Sequence, residues 1–139
     1  FIDTPLCLGF GFLGRRFDHA LAALSVLARM SSKRPTLKIV LAGRHDALTV
    51  TQRAINTAFP VGTRYSVFPL GKVTFEQSDG LAWPLGGLTL LPEGQGGTSN
   101  RTSLDVQSLQ PAPDNRASFA IIVPVDCLQQ LIEAASSSP

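Results

Sequence analysis

The sequence predicts a chain that is mainly β with helices, a β-sandwich preceded by one strand–turn–helix unit. Three observations carry that prediction. An apolar run, Leu6–Phe10, leads through a glycine-spaced turn into apolar residues at helical spacing, Leu21, Leu24, Val26, Leu27 and Met30. Beyond residue 35 the period changes to roughly eight short apolar runs, spaced 8–12 residues apart by turn residues, as strands of a sandwich are. With 44% hydrophobic and 16% charged residues over 139 positions, the composition is that of a globular domain and not of a disordered chain.

In chain order, Ile2-Asp3-Thr4-Pro5 is a lead-in and Leu6–Phe10 a buried strand. The helix that follows covers Ala20–Met30 and stops at Ser31-Ser32-Lys33-Arg34-Pro35, where proline blocks continuation and the bases suit the negative end. Thr36–Ala42 and Ala47–Gln52 form a hairpin about Gly43-Arg44-His45-Asp46, with His45 at its tip. Phe59-Pro60-Val61-Gly62 punctuates the chain before strands at Arg64–Pro69 and Lys72–Gln77 and a turn at Ser78-Asp79-Gly80. Leu81–Leu85, carrying Trp83, and Leu88–Leu91 read as strands about Gly86-Gly87, and Pro92–Asn100 as a loop. Leu104–Leu109 and Ser118–Val123 complete the strands, Val125–Ala135 is a terminal helix with Asp126 as its cap, and 136–139 is a frayed tail.

Net charge is +2 with no basic block, so nothing in the composition calls for nucleic acid or an anionic membrane. No apolar run approaches the roughly 20 residues that cross a bilayer. The two cysteines, Cys7 and Cys127, lie among apolar neighbours and are expected to be buried free thiols, which fits a cytoplasmic protein. The chain starts at Phe1 with a strand under way almost at once, which points to a fragment or a processed product. No zinc-ligand spacing and no G-x-S-x-G element is present.

Chemistry concentrates in the glycine turn. Gly11 and Gly14 let the backbone turn where a Cβ would clash, and the turn ends at a helix N-terminus, whose free N–H groups favour an anion. Arg15 and Arg16 add guanidinium groups that can grip phosphate oxygens in pairs. Gly9-Phe10-Gly11-Phe12-Leu13-Gly14 matches the dinucleotide fingerprint G-x-G-x-x-G. The strand–helix alternation that a dinucleotide fold requires stops after one unit, which leaves an NADP-binding reductase as the third reading.

Gly11-Phe12-Leu13-Gly14-Arg15-Arg16-Phe17-Asp18-His19 resembles the G-x-x-G-G-R-x-D-H signature of thiamine pyrophosphokinases. Three further segments resemble that family in the same order: Tyr65–Gly71, Gly80–Leu85 and Gly97-Thr98-Ser99-Asn100. The resemblance covers the family's second half. It implies that residues 1–35 are the last strand and helix of an α/β nucleotide-binding domain, truncated here, and that 36–139 are a thiamine-binding and dimerisation β-sandwich. The acidic motifs that hold Mg²⁺ and ATP in the family would lie upstream. Arg15 stands where the second glycine is usual, and Ala23 where the helix usually carries asparagine.

The implied reaction passes a pyrophosphoryl group from ATP to the hydroxyl of thiamine, giving thiamine diphosphate and AMP, with thiamine bound between the subunits of a homodimer. Gly11, Gly14, Arg15 and Arg16 would bind phosphate, and Arg16 would stabilise developing charge. Asp18 would hold Mg²⁺ or take the hydroxyl proton. Trp83, Thr98, Ser99 and Asn100 would bind thiamine, Trp83 by offering an aromatic face to the thiazolium. Each has a plainer alternative. Asp18 can be a helix N-cap, Arg16 a solvated base, His19 a structural residue, Trp83 a core or interface side chain, and Ser99 and Asn100 turn formers. Without the upstream carboxylates, the fragment alone is expected to be inactive. A non-catalytic sandwich module that dimerises or binds a small ligand is the alternative from another class.

Overall fold

A computed structural model describes residues 5–138, so the lead-in residues Ile2, Asp3 and Thr4, and Pro139 of the tail, lie outside the described residues. The elements in order are β1 (Leu6–Phe10), α1 (Phe17–Lys33), β2 (Lys38–Ala42), β3 (Asp46–Thr51), β4 (Ile55–Thr57), β5 (Arg64–Pro69) and β6 (Val73–Asp79). They continue with β7 (Thr89–Leu90), β8 (Gly97–Arg101), β9 (Gln107–Pro111), β10 (Phe119–Pro124), a 3₁₀ turn (Val125–Cys127) and α2 (Leu128–Ser137).

Two sheets form. One has six strands in the order β1-β2-β3-β10-β5-β8, and the other four in the order β4-β9-β6-β7. β1 runs parallel to β2, and the other pairs of both sheets are antiparallel. The period-2 alternation of the middle strands sorts side chains onto two faces. Val40, Ala47, Phe119, Ile121 and Val123 point into a core shared with the four-stranded sheet, where Val73, Phe75, Leu90 and Leu109 meet them and α2 adds Leu131, Ala134 and Ala135. Leu41, Leu48 and the partly buried Ile122 alternate with those residues and pack instead on Ala23 and Leu27 of α1. The molecule is therefore layered as helix, large sheet, and small sheet with helix.

The apolar stripe of α1 is broader than the surface it covers. Leu21 and Val26 remain exposed, and so do Leu6, Leu8 and Phe10 of the edge strand β1. Edge position also exposes Cys7, against the expectation of a buried thiol, whereas Cys127 is buried and both are free.

Several local expectations change. Leu81–Leu85 is not a strand: Pro84 lacks an N–H, and the segment bends after a single bridge between Leu81 and Thr102. The loop expected over Pro92–Asn100 becomes β8 from Gly97 onward, because its small residues serve close packing. A Cβ on Gly97 would stand 3.0 Å from the Val67 carbonyl oxygen. β6 runs through Asp79, so the turn waits for Gly80. Leu104–Val106 is bent and the strand starts at Gln107, whose amide is anchored by the Thr57 hydroxyl and the Phe59 N–H and carbonyl. Those bonds also hold β4, three residues too short to leave a periodic signal. The terminal helix opens as a 3₁₀ turn after Pro124, and Asp126 makes no cap hydrogen bond.

Candidate functional site

The parallel pairing of β1 with β2 places the two loops that matter side by side. With Gly9 opposite Leu41 and Phe10 opposite Ala42, both strands end at the same level. The turn from β1 to α1 and the hairpin from β2 to β3 therefore open at one end of the sheet, the end where open α/β sheets receive ligands. Gly43 sets how close they come: a Cβ there would lie 2.8 Å from Cβ of Leu13 in the turn. Its N–H closes the hairpin on the Asp46 carbonyl at 2.8 Å.

In the turn, Gly11 and Gly14 have φ of +84° and +145°, and a Cβ added to either would meet nothing within 4 Å. Glycine is needed there for the backbone conformation, not for room. Turn and hairpin enclose a concavity of about 750 Å³ lined by Gly11–Arg16, His19, Arg44 and His45. That volume lies in the range of small-molecule sites, roughly 300–1,000 Å³.

Arg16 occupies the N-cap position of α1 and makes no side-chain cap bond, so Asp18 is not the cap but a first-turn residue. Asp18 instead receives both arms of the Arg16 guanidinium, Nε to Oδ1 at 3.1 Å and Nη2 to Oδ2 at 2.6 Å. The guanidinium, and after it the first-turn amides, hold the Asp18 carboxyl below its ordinary range against a desolvation effect of opposite sign. Asp18 does not itself line the concavity. It fixes the plane of Arg16, whose remaining N–H groups stay available to a ligand.

The second cluster of candidates lies around β8. Trp83 is exposed, at 61%, while Asn100 is buried, at 4%. Asn100 Oδ1 accepts from the N–H of Trp83 at 3.1 Å and of Arg101 at 2.8 Å, and its Nδ2 donates to the Trp83 carbonyl at 2.7 Å. The amide is thus spent on holding the Trp83 segment. Thr98 and Ser99 are exposed. Ser99 adopts φ +60°, and its N–H is caught by the Ser66 hydroxyl at 3.0 Å.

No protein-family model and no curated protein matches the sequence. Solved structures do match. Thiamin pyrophosphokinase from Candida albicans superposes with a TM-score of 0.75 at 15% identity, over 87% of this chain and 44% of that one. The Bacillus subtilis enzyme gives 0.72 at 18%, over 87% and 56%, and the yeast enzyme 0.70 at 18%, over 91% and 41%. The chain has a thiamin pyrophosphokinase fold. It spans about half the length of the enzymes it matches.

Within this thiamin pyrophosphokinase fold the two candidate clusters do not meet. β1 and β8 are the opposite edges of the six-stranded sheet, five strand spacings apart, or about 24 Å. The structure brings together Gly11, Gly14, Arg15 and Arg16 at one edge, and Trp83, Thr98, Ser99 and Asn100 at the other. It also brings Arg44, His45 and His19 to the first cluster. His45 lies at the hairpin tip as expected, and its place beside His19 on the wall of the concavity is what the sequence reading did not include. The available signal is the predicted pair of consecutive strands across a helix, which puts their C-terminal loops next to each other when they pair in parallel.

Proposed function

We propose that this chain is the C-terminal portion of a thiamine pyrophosphokinase, which transfers a pyrophosphoryl group from ATP to the hydroxyl of thiamine and releases AMP. The observation that carries the reading is the pairing of Arg16 with Asp18 at the rim of a basic concavity, in a fold shared with known thiamin pyrophosphokinases. In the proposed assignment residues 1–35 close an α/β nucleotide-binding domain, and 36–139 form the sandwich. The uncovered apolar residues Leu6, Leu8 and Phe10 on β1, and Leu21 and Val26 on α1, support a larger α/β unit around them.

Gly11 and Gly14 bring backbone N–H groups toward the phosphates, and Arg15 and Arg16 neutralise them. Arg16, pre-oriented by Asp18, offers paired N–H donors to the charge that develops on the transferring group. Asp18 is ionised, with both oxygens engaged, so it acts as a positioning residue rather than as the base. Among the described residues no group of three or more His, Cys, Asp or Glu side chains could hold a metal ion. By themselves these residues do not complete a Mg²⁺ centre; Asp18 could supply at most one ligand to it.

Trp83 offers its face to the thiazolium cation, with Asn100 holding it in place and Thr98 and Ser99 beside it. On this reading the protein acts as a homodimer with thiamine between subunits, a second copy of the chain bringing its Trp83 cluster to the arginines; the separation of the two clusters within one chain supports that arrangement. The test measures thiamine-dependent AMP release by the intact parent. Arg16→Ala and Asp18→Asn should each lower turnover by two orders of magnitude or more, with the dimer intact. Near-normal turnover in both variants would refute the site. The 139-residue chain alone should release no AMP.

A further inference from the structure

The hairpin arginine is the feature that the sequence motifs leave unused. The concavity is lined by three arginines, Arg15, Arg16 and Arg44, and two histidines, His19 and His45, and by no carboxylate. The acid nearest Arg44 in sequence, Asp46, is turned away into an ion pair with Arg64 at the start of β5. Asp18 is committed to Arg16. Among the described residues, neither Arg15 nor Arg44 forms an ion pair, so the concavity gathers cationic groups without an internal counter-charge. Guanidinium groups collected in this way favour an anion that bridges them.

Resting on the pyrophosphokinase reading, we propose that Arg44, with His45 beside it, is a phosphate-gripping residue that closes on a linear polyphosphate from the side opposite Arg15 and Arg16. The ligand class is the phosphate chain of a nucleoside triphosphate. Two features support a clamp rather than a loose patch. The hairpin is braced against the turn at Gly43, where there is no room for a Cβ beside Leu13. Its two ends are continuous with β2 and β3, which are paired within the large sheet. The arginines thus come from two separate segments held at a fixed distance, as bidentate recognition of several phosphates requires.

The probe is inorganic tripolyphosphate, titrated calorimetrically into the 139-residue chain and into Arg15→Ala, Arg16→Ala, Arg44→Ala and Arg116→Ala variants, with melting temperature followed alongside. Arg44 is exposed, so its replacement should leave melting unchanged. The expected result is about tenfold weaker binding for Arg44→Ala, comparable to Arg15→Ala, with Arg116→Ala at wild-type affinity. If Arg15→Ala and Arg16→Ala weaken binding but Arg44→Ala does not, the hairpin has no part in the site, and the pyrophosphokinase reading stands without it. If tripolyphosphate fails to bind, or all four variants bind alike, both the clamp and the phosphate site are overturned.

Discussion

Asn100 should be worth more to this protein than any contact it could make with a ligand. Its side chain is 4% exposed and satisfies three main-chain groups, the N–H and carbonyl of Trp83 and the N–H of Arg101. Asn100→Ala strands all three. A buried polar group left unsatisfied costs about 1–3 kcal/mol. Because Trp83 is largely exposed, water can reach part of its backbone, and the low end of that range applies to each group. The loss should total about 2–4 kcal/mol, which for a domain of this size lowers the melting temperature by about 6–15 °C.

Asn100→Asp separates the two halves of the contact. It keeps the acceptor for the two N–H groups but replaces the donor with an anionic oxygen facing the Trp83 carbonyl. Burial and the facing carbonyl favour the protonated form of that carboxyl, so its folded-state pKa is raised. The variant's stability deficit should therefore shrink as pH falls and grow as pH rises. Trp83 is the only tryptophan in the chain, which makes its fluorescence anisotropy a report on this segment alone. Both variants should melt early and show lower Trp83 anisotropy in the folded state. A melting temperature within about 2 °C of wild type for Asn100→Ala, with unchanged anisotropy, would refute the idea that the amide holds Trp83.

Tyr65 gives a second test, since it is the only tyrosine and is fully buried, with its hydroxyl beside Thr57 but, among the described residues, in no hydrogen bond of good geometry. Burial raises its pKa, so the fold loses stability as pH rises above the ordinary tyrosine value near 10, at about 1.4 kcal/mol per pH unit from this one group. Tyrosinate absorbance should therefore appear only as the protein unfolds; absorbance rising while circular dichroism is still native would contradict this. Tyr65→Phe keeps the edge contact with Phe59, removes the orphan hydroxyl and should be neutral or up to about 1 kcal/mol more stable, with the alkaline slope reduced. Gly43→Ala puts a Cβ 2.8 Å from Leu13 Cβ, where about 3.5–4.0 Å is comfortable, and should cost about 1–2 kcal/mol while displacing Arg44. Unchanged melting together with unchanged tripolyphosphate affinity would show that hairpin and turn are not braced against each other.

The elements that were legible in the sequence are those whose period matches their burial. Arg64–Pro69 and the strands that meet at residues 43–46 lie where alternation and turn residues put them, whereas Leu6–Phe10 is a strand as expected but an exposed edge strand, not the buried one its apolar run suggests. Errors fall where composition and backbone disagree. Gly97-Thr98-Ser99-Asn100 looks like a loop because its residues are small, yet smallness is what lets β8 pack against β5 at Val67. Leu81–Leu85 looks like a strand because it is apolar, yet Asn100 pins it as a bend. In the candidate site the turn was readable as a local motif. The contribution of Arg44 and His45 was not, because it depends on which strand lies beside which, and on Gly43 as a contact point rather than a turn former.

In the proposed reading the two candidate clusters cooperate through a second chain, and the large sheet supplies the physical reason. Although the sequence changes period near residue 35, the hydrogen bonding does not break there: β1 joins β2 residue for residue from Leu6 to Phe10. One continuous sheet therefore carries the arginine turn at its parallel edge and Trp83 with β8 at its antiparallel edge. A strand-paired sheet with a packed core on one face and α1 on the other cannot fold its edges together. No molecule the size of thiamine can touch Arg16 and Trp83 of the same chain across four intervening strands. What the sheet can do is present both edges rigidly, and the proposed dimer would set the Trp83 edge of one subunit against the arginine edge of another. In that arrangement a dimer-breaking substitution on the β8 edge should abolish turnover in the intact enzyme while leaving tripolyphosphate binding at the other edge untouched.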